Sequence, residues 1–166
     1  SERHTVKALG TAFILDEIAA STRDPYLFGG QLRWDANWSP KLQTSIGAAL
    51  LSIINEAGLT GVAIPNVGGG NTRDTNQVLS TSFTTLYADA NLTYNFEKGP
   101  FYNAAFPITV GADFLHNFSA NRDNNGYSFG VIIGKAGKKG LWEVNYRYTE
   151  LQADAWFEEF VESDFG

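Results

Sequence analysis

Hydrophobic and polar residues alternate along most of this chain, which is the pattern of a β-strand with one apolar and one polar face. All eight positions of residues 31–38 (QLRWDANW) follow it, with apolar side chains at even numbers and polar ones at odd numbers. Residues 86–96 (LYADANLTYNF) follow it everywhere except at Tyr87. Residues 107–114 and 141–149 repeat the alternation. The sequence therefore predicts an all-β protein.

Three further segments carry a weaker form of the pattern, namely residues 5–15, 41–54 and 126–134. They bring the total to seven predicted strands, most of them about 9–14 residues long. A tilted strand that crosses a bilayer needs roughly 9–11 residues, whereas strands of soluble domains have about 5–6. The strand lengths favour an antiparallel transmembrane β-barrel over a soluble β-sandwich.

The connections between the predicted strands alternate in character. The first, third, fifth and last connections, which are residues 16–25, 55–84, 119–126 and 152–166, are assigned to one end of the strands. The turn at Ser39 and Pro40, residues 97–107 and residues 135–140 are assigned to the other end. Membrane barrels have long loops at the extracellular rim and short turns at the periplasmic rim. Residues 97–107 are longer than this scheme prefers. The long connection 55–84 is predicted either to fold into the lumen as a constriction or to lie on the surface as a mobile loop.

Large aromatic residues fall near the predicted strand ends, while small alanines occupy several mid-strand apolar positions. Tryptophan and tyrosine favour the headgroup level of a membrane, so two aromatic girdles are the expected arrangement. The residues assigned to the girdles are Trp34, Trp38, Tyr94, Phe96, Trp142 and Tyr148.

The polar faces of the predicted strands carry full charges of both signs, as the wall of a water-filled pore would. The residues predicted to line the pore are Arg33, Asp35, Asp89, Asn91, Asp113, Glu143, Asn145 and Arg147. The alternative is that the same charges form cross-strand ion pairs on the solvated face of a soluble sheet. The sequence alone does not decide between a pore lining and ion pairs on a soluble sheet.

Composition narrows the function classes. The 166 residues include no cysteine, which excludes disulfides and thiolate metal sites, and the net charge of −6 lacks the basic footprint of nucleic-acid binding. A transmembrane helix needs a run of about 18 apolar residues, and no apolar run in this chain approaches that length. The chain has no methionine and ends in Phe165 and Gly166. Both ends are therefore predicted to lie inside a longer chain.

No constellation of residues points to catalysis, a cofactor or a metal. The two histidines, His4 and His116, have no metal-ligand spacing and no evident nucleophile nearby. Residues 123–126 (DNNG) faintly resemble a calcium loop but are more typical of a turn. Residues 153–161 are predicted to form a short helix whose aromatic residues cap the last loop or contact a neighbouring subunit. The expectation is a protein that is not an enzyme.

Residues 140–166 resemble a porin family of Gram-negative outer membranes. The matching features are Trp142-x-Val144-x-Tyr146-Arg147-Tyr148, Leu151-x-Ala153-Asp154-Ala155 and Ser163-Asp164-Phe165-Gly166. The resemblance implies a many-stranded diffusion channel in the bacterial outer membrane, a homo-oligomer, with a trimer as the expected state, and further strands beyond this segment. These residues would then form one partial barrel domain over 1–166.

Pattern and resemblance together predict a passive channel for small hydrophilic solutes, surrounded by outer-membrane lipid. The net charge gives a weak indication of cation preference. Three alternatives remain: a structural or adhesive barrel with a plugged lumen, a barrel enzyme with a catalytic cluster at one rim, and a soluble β-sandwich binding module.

Overall fold

Seven antiparallel strands follow one another in chain order in a single open sheet in the computed structural model of the chain. They are β1 (His4–Ile14), β2 (Tyr26–Asn37), β3 (Leu42–Ile54), β4 (Thr84–Phe96), β5 (Phe106–Asn117), β6 (Asn125–Gly134) and β7 (Glu143–Leu151). The structure describes residues 3–17, 23–60, 70–102 and 104–161. The helical content of these residues is two short 3₁₀ turns, Glu56–Gly58 and Glu158–Phe160. The predicted all-β class and the seven strands are confirmed.

The strand pairing keeps the two faces of the sheet chemically distinct. Each strand pairs with the next in uninterrupted register, so that Lys7, Arg33, Gly47, Asp89 and Asp113 lie side by side across β1 to β5. Because side chains alternate between faces along a strand, every charged position predicted from the alternation lies on this same face. We call it the polar face, and the opposite one the apolar face.

Strand boundaries differ from the predictions where local sequence obscures the alternation. Strand β2 begins at Tyr26, five residues before the predicted start. The prediction started too late because the adjacent glycines Gly29 and Gly30 interrupt the alternation of apolar and polar residues. Strand β5 continues to Asn117, beyond the predicted end at residue 114. Strand β7 runs from Glu143 to Leu151, so the predicted span 141–149 is displaced by two residues and Trp142 precedes the strand.

We call the end of the sheet that carries the connections from β1 to β2, β3 to β4 and β5 to β6 the loop end. At this end the polar face carries apolar side chains. There Leu27 and Ile53 form a buried cluster with Phe157 and with Leu59, Leu79 and Phe83 of the connection between β3 and β4, which we call the third connection. The predicted helix over 153–161 is wrong, since only Glu158–Phe160 form a single 3₁₀ turn. The aromatic residue Phe157 instead packs onto the sheet. Apolar burial of this kind holds both the third connection and the segment after β7 against the sheet.

Strands β1 and β7 form the two edges of the sheet. Within the described ranges, no helix is long and apolar enough to cross a membrane.

Candidate functional site

The apolar face of the sheet is its exposed face. Among the described residues, 23 large hydrophobic side chains are exposed, and 17 of them lie on this face. Leu32 is 63% exposed and Tyr146 is 61% exposed. On the polar face, by contrast, Asp89 is only 5% exposed and Thr85 is fully buried. This is the inverse of a sheet in a soluble domain, which turns its apolar face toward a core.

The charges of the polar face form a continuous network across β1 to β4. Lys7 Nζ lies 2.7 Å from Asp35 Oδ2, and Asp35 Oδ1 accepts a hydrogen bond of 2.6 Å from Ser45 Oγ. Arg33 donates to Ser45 Oγ at 2.6 Å and to both carboxylate oxygens of Asp89 at 2.7 and 2.9 Å. Charged groups held by several partners have fixed positions, so this part of the face is a rigid polar surface.

A second network covers the polar face across β4 to β7. Its centre is Asp113, which accepts hydrogen bonds from Tyr87 Oη at 2.6 Å and from Ser128 Oγ. Arg147 Nη2 lies 3.3 Å from Asp113 Oδ2. Tyr87 interrupted the alternation because its ring belongs to the polar face, where its hydroxyl has a carboxylate partner. We call the two networks together the charged belt.

Gly47 and Gly111 have no side chain, and side chains of the charged belt occupy the space that a Cβ atom would fill. A Cβ atom at Gly47 would lie 2.5 Å from Asp89 Oδ1 and 2.9 Å from Arg33 Nη2. A Cβ atom at Gly111 would lie 2.2 Å from Asn91 Oδ1. Both distances are shorter than van der Waals contact, so the side chains cross their neighbouring strands only because these positions are glycine.

Replacement of Gly47 by alanine is therefore expected to displace the Arg33–Asp89 pair and to lower the free energy of unfolding by about 1–3 kcal/mol. The control is Gly30→Ala, because a Cβ atom there meets only the Leu9 carbonyl oxygen at 3.9 Å. Urea titration, followed by tryptophan fluorescence, measures the stability of both variants. Equal stability of the two would show that the pair does not need the space at Gly47.

The remaining residues predicted to line a pore also lie on the polar face. Asn91 Nδ2 is 3.5 Å from Asp89 Oδ2, which places it beside the first network. Glu143 begins β7, and its carboxylate accepts a hydrogen bond of 3.3 Å from the Ala136 amide. Asn145 is exposed. The structure thus joins Arg33, Asp35, Asp89 and Asn91 in one network and Asp113 with Arg147 in the other, while Glu143 lies at the end of the sheet opposite the loop end.

The aromatic residues assigned to girdles cluster at the strand ends. At the turn end, opposite the loop end, Trp34 and Trp38 pack edge to face at 5.8 Å, and Tyr94 and Phe96 do so at 4.7 Å. Trp142, although outside β7, contacts Tyr102 and Phe106 at the same end of the sheet. Tyr148 packs on Phe129 toward the loop end. Their positions agree with two aromatic levels, and their role at a membrane stays a prediction.

The segment that follows β7 runs back across the polar face at the loop end. We call residues 152–161 the strap. The Asp154 carbonyl accepts a hydrogen bond from Asn117 of β5, and the Ala155 carbonyl accepts one from Thr85 of β4. Phe157 then reaches Phe83 and the cluster on β2 and β3. From its start after β7, the strap therefore crosses β5, then β4, and then reaches β3 and β2.

A buried ion pair fastens the strap to the third connection. Arg73 donates to Glu158 Oε1 through Nε at 2.8 Å and through Nη2 at 2.5 Å, and their side chains are only 6% and 1% exposed. Arg73 Nη1 also donates to the carbonyls of Leu59 and Gln77, both at 2.8 Å. Asn71 Nδ2 donates to the carbonyls of Ala153 and Trp156 at 2.6 and 2.8 Å. We call these contacts the clasp.

The described part of the connection between β3 and β4, residues 55–60 and 70–83, packs on the polar face of the sheet through Leu59, Leu79 and Phe83. Residues 61–69 of this connection lie outside the described residues.

The other candidate groups have structural partners. His4 stacks on Trp34 at 5.8 Å, and His116 Nδ1 lies 2.8 Å from Asn125 Oδ1. Asn124 Nδ2 donates to the carbonyls of Asn117 and Ala120, which closes the turn over residues 118–124. Within the described ranges, no three histidine, aspartate or glutamate side chains are grouped as a metal site would require.

Several residues of the networks were missed by the sequence analysis. Lys7 and Ser45 lie in the weaker strand segments. The available signal was that both have odd numbers in segments whose odd positions lie on the same face as Arg33. Arg73 and Glu158 lie outside every strand and are 85 positions apart, so no local pattern relates them.

No protein-family model, curated protein or solved structure matches this chain. The porin resemblance of residues 140–166 therefore has no independent support. Its last motif, Ser163 to Gly166, lies outside the described residues.

Proposed function

We propose that this sheet is part of the wall of an outer-membrane β-barrel and that the protein is a passive channel for small hydrophilic solutes. The observation that carries the proposal is the inverted burial of the sheet, whose large apolar side chains are exposed on the apolar face while the charged Asp89 is buried on the polar face. A membrane resolves this inversion, because lipid chains cover the apolar face and water fills the space against the polar one.

The strand geometry supports the same proposal. The strands have 9 to 13 residues, which suits a tilted crossing of the bilayer. The two longest connections between strands, β1 to β2 and β3 to β4, lie at the same end of the sheet, and the shortest one, β2 to β3, lies at the opposite end. An open sheet exposes unpaired backbone groups at β1 and β7, and lipid cannot satisfy them. The barrel we propose pairs these edges with further strands.

The charged belt supports a channel that discriminates weakly between ions. It contains three basic residues, Lys7, Arg33 and Arg147, and each is paired with an aspartate. The belt therefore has no net charge, and the net charge of −6 is carried elsewhere in the chain. This replaces the cation preference inferred from composition, because permeation depends on the charges that line the pore.

Single-channel conductance in a planar bilayer tests the proposal. The detergent-extracted, folded protein is expected to give stepwise, ohmic currents with a reversal potential near zero in a salt gradient. Protein that is shown to be inserted and gives no current would contradict the channel. Protein that does not insert at all would contradict the barrel.

Substitution of Asp89 by asparagine is expected to make the channel anion-selective by about twofold. The change removes one negative charge from the belt, and a unit charge at ~10 Å in water contributes about 0.4 kcal/mol to the energy of an ion before screening. The reversal potential in a salt gradient measures the change. Asp123→Asn, in the exposed turn after β5, removes the same charge away from the belt and is expected to have no effect.

A barrel with a plugged lumen is the second candidate, and the strap is the observation that favours it. Phe157 and Phe83 are both buried against the polar face. In a barrel, the strap and the clasp would lie inside the lumen at its loop end. A plug predicts silence in the conductance experiment that Arg73→Ala relieves, whereas a constriction predicts a small but steady conductance in the unmodified protein.

A further inference from the structure

The two ends of the sheet carry opposite charge. The described residues at the loop end include ten acidic and three basic side chains, and the charged belt is neutral. At the turn end there are six basic side chains and two acidic ones, Glu97 and Glu143. The basic residues, which we call the basic rim, are Arg3, Lys41, Lys98, Lys135, Lys138 and Lys139.

Most of the basic rim is available to an external partner. Within the described ranges, its one ion pair joins Lys41 Nζ to Glu97 Oε1 at 2.7 Å, and the hydrogen bond to Glu97 raises the pKa of Lys41. The side chains of Lys98, Lys135, Lys138 and Lys139 are exposed. Four exposed lysines in two neighbouring turns produce a positive potential that attracts anions.

An exposed aromatic ring projects from the same rim. Phe101 is 97% exposed, more than any other large hydrophobic residue described, and its φ of 53° lies in the left-handed region. The indole of Trp142 donates a hydrogen bond of 3.2 Å to the Phe101 carbonyl. The ring is thus carried by a turn that is anchored to the start of β7.

The ring and the lysines are held next to each other by Tyr102. Its hydroxyl donates to the Lys135 carbonyl at 2.8 Å and accepts from the Lys135 amide at 2.9 Å, which joins the turn before β5 to the turn after β6. Tyr102 itself is buried. A rigid unit with one exposed apolar ring and several exposed ammonium groups is complementary to a surface that is anionic outside and apolar just beneath.

We propose that the basic rim and Phe101 form a docking surface for anionic phospholipid headgroups at the turn end of the sheet. The proposal rests on the proposed membrane function. The lysines bind headgroup phosphates, and Phe101 enters the boundary between headgroups and chains at the end of the sheet that also carries Trp38 and Phe96. The acidic loop end is repelled by the same lipids, so the charge asymmetry orients the sheet in the membrane.

The test uses vesicles of phosphatidylcholine with and without phosphatidylglycerol. Because the chain has no cysteine, Phe101→Cys accepts a single polarity-sensitive fluorophore, and Asn121→Cys provides the matched label at the loop end. We expect protein diluted from urea to insert about tenfold faster into vesicles that contain phosphatidylglycerol, because complementary charge accelerates association by 10-fold or more. We also expect a blue shift of the label at position 101 that the label at 121 does not show.

Variants of the rim separate charge from structure. The fourfold variant K98Q/K135Q/K138Q/K139Q is expected to lose the preference for phosphatidylglycerol, and the corresponding fourfold lysine-to-arginine variant is expected to keep it. Insertion at equal rates into both vesicles, or a preference that survives in the glutamine variant, would overturn the docking surface while leaving the barrel intact. A label shift that needs no vesicle and rises with protein concentration would instead indicate contact between copies and overturn it. Failure to float with either vesicle would overturn the membrane function as well.

Discussion

Replacement of Arg73 by alanine is expected to destabilise the clasp by about 3–5 kcal/mol, because it leaves a buried carboxylate without a counter-charge. Glu158 is 1% exposed in its side chain, and its Oε1 atom is held by two guanidinium nitrogens. The arginine also donates to two backbone carbonyls of the third connection, which lose their partner. The expected result is release of the strap from the polar face.

Hydrogen exchange at the clasp measures this effect. The amides of Asn71 and Thr72 donate to carboxylates of the strap, at 3.1 Å to Glu158 and at 2.9 Å to Asp154, so their protection reports the closed clasp. Lys41→Ala is the matched control, since it breaks an exposed ion pair, which contributes little to stability, and is expected to leave the protection of these amides unchanged. The double variant R73A/E158A is expected to recover part of the loss, because it removes the unpaired charge. Equal effects of Arg73→Ala and Lys41→Ala would contradict a structural clasp.

Introduction of arginine at Ala90 is expected to lower the stability of the protein in lipid by about 2–4 kcal/mol. Ala90 lies in the middle of β4 on the apolar face and is already exposed. On a soluble sheet an exposed alanine accepts arginine at a cost within about 0.5 kcal/mol. A large penalty therefore arises only if the surroundings of Ala90 are hydrocarbon, where a charged group loses its hydration.

The control for Ala90→Arg is Ala105→Arg, an exposed alanine just before β5 at the turn end. There the arginine reaches the headgroup level, and we expect a change of about 0–1 kcal/mol. Urea titration of both variants in lipid vesicles gives the comparison. A small effect at both positions would remove the support for a lipid-facing apolar surface.

The sequence predicted the sheet well because its determinants are local. Alternation in residues 31–38, and in residues 86–96 apart from Tyr87, assigns each side chain to a face, and the register of β2, β3 and β4 preserves that assignment. The same alternation placed Arg33, Asp89 and Asp113 on one surface. Strand starts were less predictable where Gly29 and Gly30 remove the side-chain signal in β2.

The contacts across long separations could not be predicted from one sequence. Arg33 and Asp89 are 56 positions apart, and their pairing depends on the register of three strands and on the space at Gly47. The clasp joins segments that have no periodic pattern, and Phe157 could equally have been an exposed contact for another subunit. Its burial follows from the apolar surface that Leu27 and Ile53 provide, which appears only once β2 and β3 pair.

The most direct test of this account is the environment of each face of the sheet in a membrane, measured by spin labels on single cysteines. We would label Leu32 and Ile46 on the apolar face, and Gln31 and Gln43 on the polar face. The account predicts that oxygen, which dissolves in lipid, relaxes the labels at 32 and 46, and that a water-soluble nickel complex relaxes those at 31 and 43. Equal access of the nickel complex to all four positions would contradict a lipid-facing sheet and with it the proposed channel.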